Sequence, residues 1–257
     1  MTAMQRGWNE SQSAMLQIMG LGHWPSNLGG DRPTANEQAV PTQETTLVQA
    51  PPDEPPGMPE RNVPLLAQDL EALRSAIQSC RACGLCEGRR QAVPGAGAAG
   101  AEWVVVGEAP GEPEDQAGEP FAGAAGELLN AMLAAAGRLR DGGSEHGRVY
   151  ITHAVKCRPP GNRNPSAAEV AACAPFVERE LDLVKPRLVL ALGRFAAMSL
   201  LRTEAPIGKL RTEIQRSSTG LPVVVSYHPS YLLRQPLEKA RAWEDLCKAK
   251  ALDAQVP

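Results

Sequence analysis

The 257-residue chain has no uninterrupted apolar run of about 18 residues, the length a helix needs to cross a bilayer, so no membrane span is expected. Its N-terminus is polar and lacks an apolar signal core, which gives the expectation of no secretory leader and of a cytoplasmic protein. Six cysteines are too few for a disulfide scaffold, and a reducing cytosol keeps them as thiols, so their spacing carries more information than their number. Lysine is scarce, at 6 against 20 Arg. Arginine is the side chain of forked phosphate recognition, although GC-rich coding produces the same excess. The formal charge of −3 weighs mildly against a polyanion partner unless the charge is segregated. No internal repeat is found.

The charge is segregated. Residues 1–60 hold 8 of the 23 prolines, no Lys, 2 basic and 7 acidic residues, which leaves 24 basic and 22 acidic residues for 61–257. The run Ala50–Pro59 fits neither a helix nor an inner strand, and such composition buries too little apolar surface to offset ordering entropy. Residues 1–62 are therefore expected to be a largely disordered Pro-rich extension, with a linker over about 25–62. Within it, Met15, Leu16, Ile18 and Met19 fit one side of a short helix over 10–20 that ends at Gly20. That piece is either a stub or a tether that folds on a partner.

From residue 63 the texture is globular. Helical periodicity runs over Leu65–Ser79, with Leu66, Leu70, Leu73 and Ile77 on one face. Apolar strands are expected at Glu102–Gly107, Arg148–Thr152, Arg187–Leu192 and Leu221–Ser226. Between and after them come helices at Gly123–Gly137, from the capping box Ser166–Glu169 to about Val184, near Phe195–Leu201, and over Pro236–Leu252. This alternation predicts a three-layer α/β/α sandwich around a mostly parallel four-stranded sheet, with working loops at the C-terminal strand ends.

Three such loops carry chemistry. The first, Gly107–Asp115 and on to Gly123, is rich in Gly and carboxylate and sets Phe121 where an aromatic ring receives a flat ligand. It lacks the Gly-Lys-Ser/Thr ending of a phosphate loop, and the bland alternative is an acidic turn with a core Phe. The second, Thr152–Pro165, sets Lys156, Arg158 and Arg163 among rigid prolines, as a phosphate-contacting loop would, or as any solvated loop would. The third, Ser226–Arg234, offers His228 as a donor and Ser230, Tyr231 and Arg234 as a grip on a backbone. The cysteines form a fourth constellation. Cys80 and Cys83 are spaced C-x2-C, and Cys157 and Cys173 add a second pair, together enough for an iron–sulfur cluster or a zinc. Cys86 is a fifth candidate, and Cys247 reads as core.

These pieces, in this order, resemble the family 4 uracil-DNA glycosylases. The matching text is Cys80-x2-Cys83, Gly107-Glu-Ala-Pro-Gly111, Glu114-Asp115, Gly118-x-Pro-Phe121-x-Gly123-x-x-Gly126, Lys156-Cys-Arg-Pro-Pro160, Asn162-Arg163, Cys173 and His228-Pro-Ser-Tyr-Leu-Leu-Arg234. The resemblance implies a monomeric DNA repair hydrolase that flips uracil out of single- or double-stranded DNA and cuts its N-glycosidic bond. It implies that Cys80, Cys83, Cys157 and Cys173 hold a structural 4Fe–4S cluster within a catalytic domain over 63–257. Gly107, Glu108, Ala109, Phe121, His153 and His228 would bind uracil, with Phe121 stacking and His228 stabilising charge at O2. Lys156, Arg158, Arg163, Ser230 and Arg234 would contact DNA. Glu114 is the candidate to orient the attacking water, with Glu108 and Asp115 as alternatives. The N-terminal patch is similar to the N-terminal peptide of a clamp-loader accessory subunit of bacterial DNA polymerase III, which implies a replication or repair partner.

One residue departs from the pattern: His153 stands where the family has Asn. A side-chain amide presents an acceptor and a donor side by side, whereas a neutral imidazole carries them on opposite edges. The alternative expectation is therefore a non-catalytic or altered-specificity cluster-bearing nucleic-acid-binding protein. A redox protein ranks lower, since there is no flavin or nicotinamide fingerprint.

Overall fold

A computed structural model of the chain describes residues 67–140 and 147–254. The expected extension over 1–62, its short helix at 10–20 and the first residues of the predicted helix at 65–79 lie outside the described residues.

Helix α1 (Leu70–Ser79) starts where the Asp69 side chain accepts the Ala72 N–H at 2.8 Å, and it buries Leu73 and Ile77. A short turn of helix, α2 (Leu85–Gly88), follows. Strand β1 (Trp103–Gly107) is buried at all five positions, as a central strand covered on both faces must be. Helices α3 (Glu112–Ala117) and α4 (Ala124–Ala135) lead to β2 (Val149–His153). The Ser166–Glu169 capping box opens α5 (Ala167–Val184) as its sequence predicts, and β3 (Leu188–Leu192) follows. The remainder is α6 (Arg194–Leu201), α7 (Ile207–Leu210), β4 (Gln215–Arg216), β5 (Pro222–Ser226), α8 (Pro229–Arg234) and α9 (Lys239–Asp253).

The sheet has five strands in the order β2-β1-β3-β5-β4, not the expected four. The extra strand, β4, is a two-residue antiparallel edge on β5, too short and too polar to show as apolar alternation. The other pairings are parallel. Two short helices, α3 and α8, also replace expected loops. Each begins with a proline in its first two positions, where the missing N–H costs nothing.

Pleating sorts the strand residues. Val104, Val106, Tyr150, Val189, Ala191, Val223 and Val225 share a core with Val177 of α5 and with Ala196, Ala197 and Leu200 of α6. Leu188, Leu190 and Leu192 point to the opposite face, and α9 packs on β3 and β5. Strand β1 connects towards β2 on one side, and β3 connects towards β5 on the other. The order in which strands are added therefore reverses between the parallel neighbours β1 and β3, which puts the ligand crevice of such a sheet at their C-terminal ends.

Candidate active site

The loops after β1 and β2 are joined along their length. Gly107 and His153 are register partners, and the Ala154 and Val155 N–H groups donate to the Gly107 and Glu108 carbonyls at 2.8 and 3.1 Å. A Cβ on Gly107 would stand 2.5 Å from His153 Nδ1 and 2.6 Å from Phe121 Cζ, so only glycine admits both rings here. Phe121 is 2% exposed, packed rather than open as the loop reading expects. Its ring stacks on His153 at 4.7 Å and on His228 at 5.4 Å between centroids. Phe121 adopts the left-handed φ of 54°, a conformation that carries about 1–3 kcal/mol of strain. Arg140 holds it there by donating to the Phe121 carbonyl at 3.0 Å and to the Pro120 carbonyl. Opposite, Gly126 leaves room for the Phe121 carbonyl, which a side chain at 126 would strike. Nothing in the sequence marks Arg140 as part of this site.

His228 precedes α8, which packs on α4 and so carries the third loop to Phe121. Its Nδ1 accepts the Ser230 N–H at 3.2 Å. An accepting Nδ1 leaves the proton of a neutral ring on Nε2, and Nε2 is buried without a partner among the described residues. Burial, reinforced by the positive charge of Arg234, lowers the His228 pKa to about 4, so the ring is neutral near pH 7. His153 is 2% exposed, and neither ring nitrogen has a partner among the described residues. Burial, with His228, Lys156 and Arg140 nearby, pushes its pKa well below the usual imidazole range. Neither ring nitrogen is committed to another described residue, and Nδ1 lies on the side of Gly107.

The two carboxylates separate in role. Glu108 is predicted to be catalytic and uracil-binding, but Oε1 accepts the Phe195 N–H at 3.1 Å, so its carboxylate caps α6. Its backbone carbonyl accepts the Val155 N–H, and burial raises the side-chain pKa against the opposing backbone donors. Ala109 lies beside it, half-buried. Glu114 is buried in α3, and Oε2 accepts the Gly111 N–H at 3.0 Å. Burial raises its pKa, with that backbone donor and the charge of Arg140 opposing. Glu114 and Phe121 thus share Arg140 as a neighbour. Asp115 instead accepts the backbone N–H groups of Arg90 and Gln91.

The predicted DNA contacts divide in the same way. Lys156 is overturned as a phosphate contact: it is 2% exposed. Its Nζ donates to Thr152 Oγ1 at 2.6 Å, to Glu180 Oε2 at 2.7 Å and to the His153 carbonyl at 2.9 Å. Glu180, which sequence reasoning missed, also accepts from Gly95 N, Tyr150 Oη and Thr152 Oγ1. Arg158 stays at the surface, bonded to Asn162 and paired with Glu112 at 3.2 Å. Arg163 forks onto Glu169 at 2.9 and 2.6 Å, an exposed pair that a phosphate can displace. Ser230 is half-buried, and Arg234 is exposed.

Cys83 packs against an apolar cluster containing Leu85, Val155, Cys157, Val170 and Cys173. Cys80 closes α1 nearby. Arg89, also missed, links the two ends by donating to Cys157 Sγ at 2.9 Å and to the Cys80 carbonyl at 3.0 Å. Burial raises the Cys83 and Cys157 thiols and pushes Cys173 up to about 12, so an unligated thiol there keeps its proton. Four cysteines in a largely apolar setting, with a guanidinium aimed at one sulfur, are a donor set suited to metal ligation. Among the described residues, no three Cys, His, Asp or Glu side chains are gathered closely enough to hold a single ion. Cys86 lines a separate surface cavity, and Cys247 lies in α9.

The profile of the uracil DNA glycosylase superfamily matches residues 94–247. The chain is 38% identical over 185 residues to the type-4 uracil-DNA glycosylase of Pyrobaculum aerophilum, spanning 69% of this chain and 91% of that protein. It is 40% identical over 176 residues to the type-4 enzyme of Archaeoglobus fulgidus, covering 66% of this chain and 85% of the relative. Against that of Thermotoga maritima it is 37% identical over 185 residues, 71% of this chain and 93% of the relative. With the α/β sandwich, the ring cluster at its switch point and these matches together, the chain belongs to the uracil-DNA glycosylase superfamily, in its type-4 branch.

Proposed function

We propose that the chain excises uracil from DNA by hydrolysing the N-glycosidic bond, leaving an abasic site for base excision repair. The observation that carries this reading is His228 Nε2, a buried N–H donor of fixed tautomer with no protein partner among the described residues. As the bond to C1′ of the sugar breaks, its electron pair leaves with the base, and negative charge grows on uracil O2. A neutral imidazole N–H placed there stabilises that charge without having to lose a proton. The sugar left behind is cation-like and takes water at C1′. Glu114, held at Oε2 by the Gly111 N–H, orients that water and receives its proton. Phe121 and the backbone of Gly107–Ala109 confine the flipped base.

The same reading assigns Cys80, Cys83, Cys157 and Cys173 to a 4Fe–4S cluster, which when bound supplies cross-links between α1, the loop after β2 and α5. The support is the donor set and the Arg89 contact. A brown protein absorbing near roughly 400 nm supports iron–sulfur, and a colourless one supports zinc. The enzyme is read as a cytoplasmic monomer.

The test is excision from single-stranded and duplex oligonucleotides carrying uracil, hypoxanthine or xanthine. No abasic product beside an active control enzyme overturns the catalytic reading in favour of a DNA-binding protein. His153 supports a second reading, altered base choice, since a neutral imidazole carries its donor and acceptor on opposite edges where an amide presents both side by side. If His153→Asn sharpens preference for uracil, that reading stands, and an unchanged preference removes it.

A further inference from the structure

Beside the cysteines, Gln78, Arg81, Cys86, Arg89, Arg90 and Gln91 line a surface cavity of about 370 Å³ that contains no carboxylate. The site described above makes no use of it. Arg89 is fixed in its wall by bonds to Cys157 Sγ and to the Gln78 and Cys80 carbonyls. Arg81 and Arg90 are exposed, and neither guanidinium has an ion-pair or hydrogen-bond partner described among these residues. The backbone at Arg90 is tied down. Asp115 accepts the Arg90 N–H at 2.9 Å, and the Gln91 amide donates to the Gln116 carbonyl at 2.8 Å. That ties the wall of the cavity to the C-terminal end of α3. At the other end of α3, Glu112 pairs with Arg158. Six residues of helix rise about 9 Å, so the cavity and Arg158 lie along one short element.

We propose that this cavity is a phosphate site that takes a backbone phosphate of the bound DNA strand, outside the flipped nucleotide. Two unpaired guanidiniums give forked donors for non-bridging phosphate oxygens, and Arg89 adds fixed positive charge behind them. A strand is favoured over a free anion because the site is open and exposed. Such a site binds a lone phosphate weakly at physiological salt, whereas a phosphate tethered to neighbours already held at Arg158 arrives at high effective concentration. The site also shows how a chain whose formal charge is −3 engages a polyanion. This inference rests on the DNA-acting reading above.

The experiment measures binding of a uracil-free single-stranded oligonucleotide across a salt series, by fluorescence anisotropy, for wild type, Arg81→Ala/Arg90→Ala and Arg81→Lys/Arg90→Lys. Loss of one phosphate contact lowers the slope of log K against log salt by about 0.7 in the alanine variant, and the lysine variant keeps the slope. An alanine variant that retains its far-UV dichroism and the wild-type slope overturns the proposal. Should the double variant fail to fold, Arg81→Gln and Arg90→Gln singly carry the same test. Inorganic phosphate is titrated in parallel. If it binds wild type but not the alanine variant while the slope is unchanged, the cavity takes a free anion and the strand assignment falls. Because the probe contains no uracil, a wild type that binds but never excises sinks the enzymatic reading and leaves this one standing. An excising enzyme with an unchanged slope does the reverse.

Discussion

Lys156→Met separates two roles for one lysine. As a phosphate contact it would weaken DNA binding and leave stability nearly untouched. As the structure places it, Lys156 neutralises Glu180, with the two side chains 2% and 0% exposed and 2.7 Å apart. Removing one member of a buried pair costs about 3–5 kcal/mol, because the other charge is left uncompensated. Gly95 N, Tyr150 Oη and Thr152 Oγ1 still donate to Glu180 in the variant, which puts the expected loss near the lower end, about 3 kcal/mol. For a folded part of this size that corresponds to a fall in Tm of about 6–12 °C. Lys156→Met combined with Glu180→Gln should recover part of the loss, since it removes the stranded charge. Thermal and urea unfolding give the stability, and a salt series on single-stranded DNA gives the contact count. A Tm within about 2 °C of wild type, or a salt slope reduced by about 0.7, would refute the buried-strut assignment.

Replacing His228 with Gln should cut single-turnover excision by about 10²–10³-fold, measured at saturating enzyme, as loss of one oxyanion donor does. Because the folded pKa of His228 is about 4 against an ordinary 6.5, the unfolded chain binds more protons between those values. Stability should therefore be full above about pH 6.5 and fall by about 3 kcal/mol towards pH 4, with a flatter profile in the Gln variant, read from urea midpoints. Gly126→Ala should destabilise by about 1–3 kcal/mol and depress excision, because the added methyl strikes the Phe121 carbonyl and the turn must move. If Cys80, Cys83, Cys157 and Cys173 hold the proposed 4Fe–4S cluster, Arg89→Met should speed loss of its absorbance near roughly 400 nm in air, because Cys157 Sγ loses its charged donor.

Much of this site can be read from the chain without coordinates. The apolar runs of β1 and β3 are buried on both faces, so hydrophobicity alone marks them. Gly107, His153 and His228 sit at or just beyond strand ends and converge because parallel strands deliver their C-terminal loops to one edge, and Phe121 joins them from the turn between α3 and α4. What stays hidden depends on partners far along the chain. Lys156 stands among Arg158, Pro159 and Pro160 and reads as surface, yet its counter-charge is Glu180 on a helix 24 residues away. Glu108 reads as a free carboxylate because its acceptor role depends on Phe195 N, 87 residues on. Arg140 has no local pattern at all, since what it holds is backbone. Strand β4 is invisible because two residues of antiparallel edge have no period.

The Lys156 network grips position 153 by its carbonyl oxygen, a group every amino acid carries. That backbone hold survives a change of side chain, whereas the imidazole itself is buried and stacked on Phe121. Mutation can retune base choice at 153 while the strand end, the adjoining cysteine loop and the buried pair stay in place. Divergence in substrate range can begin at position 153 with the backbone already held, provided the new side chain fills the space beside Phe121.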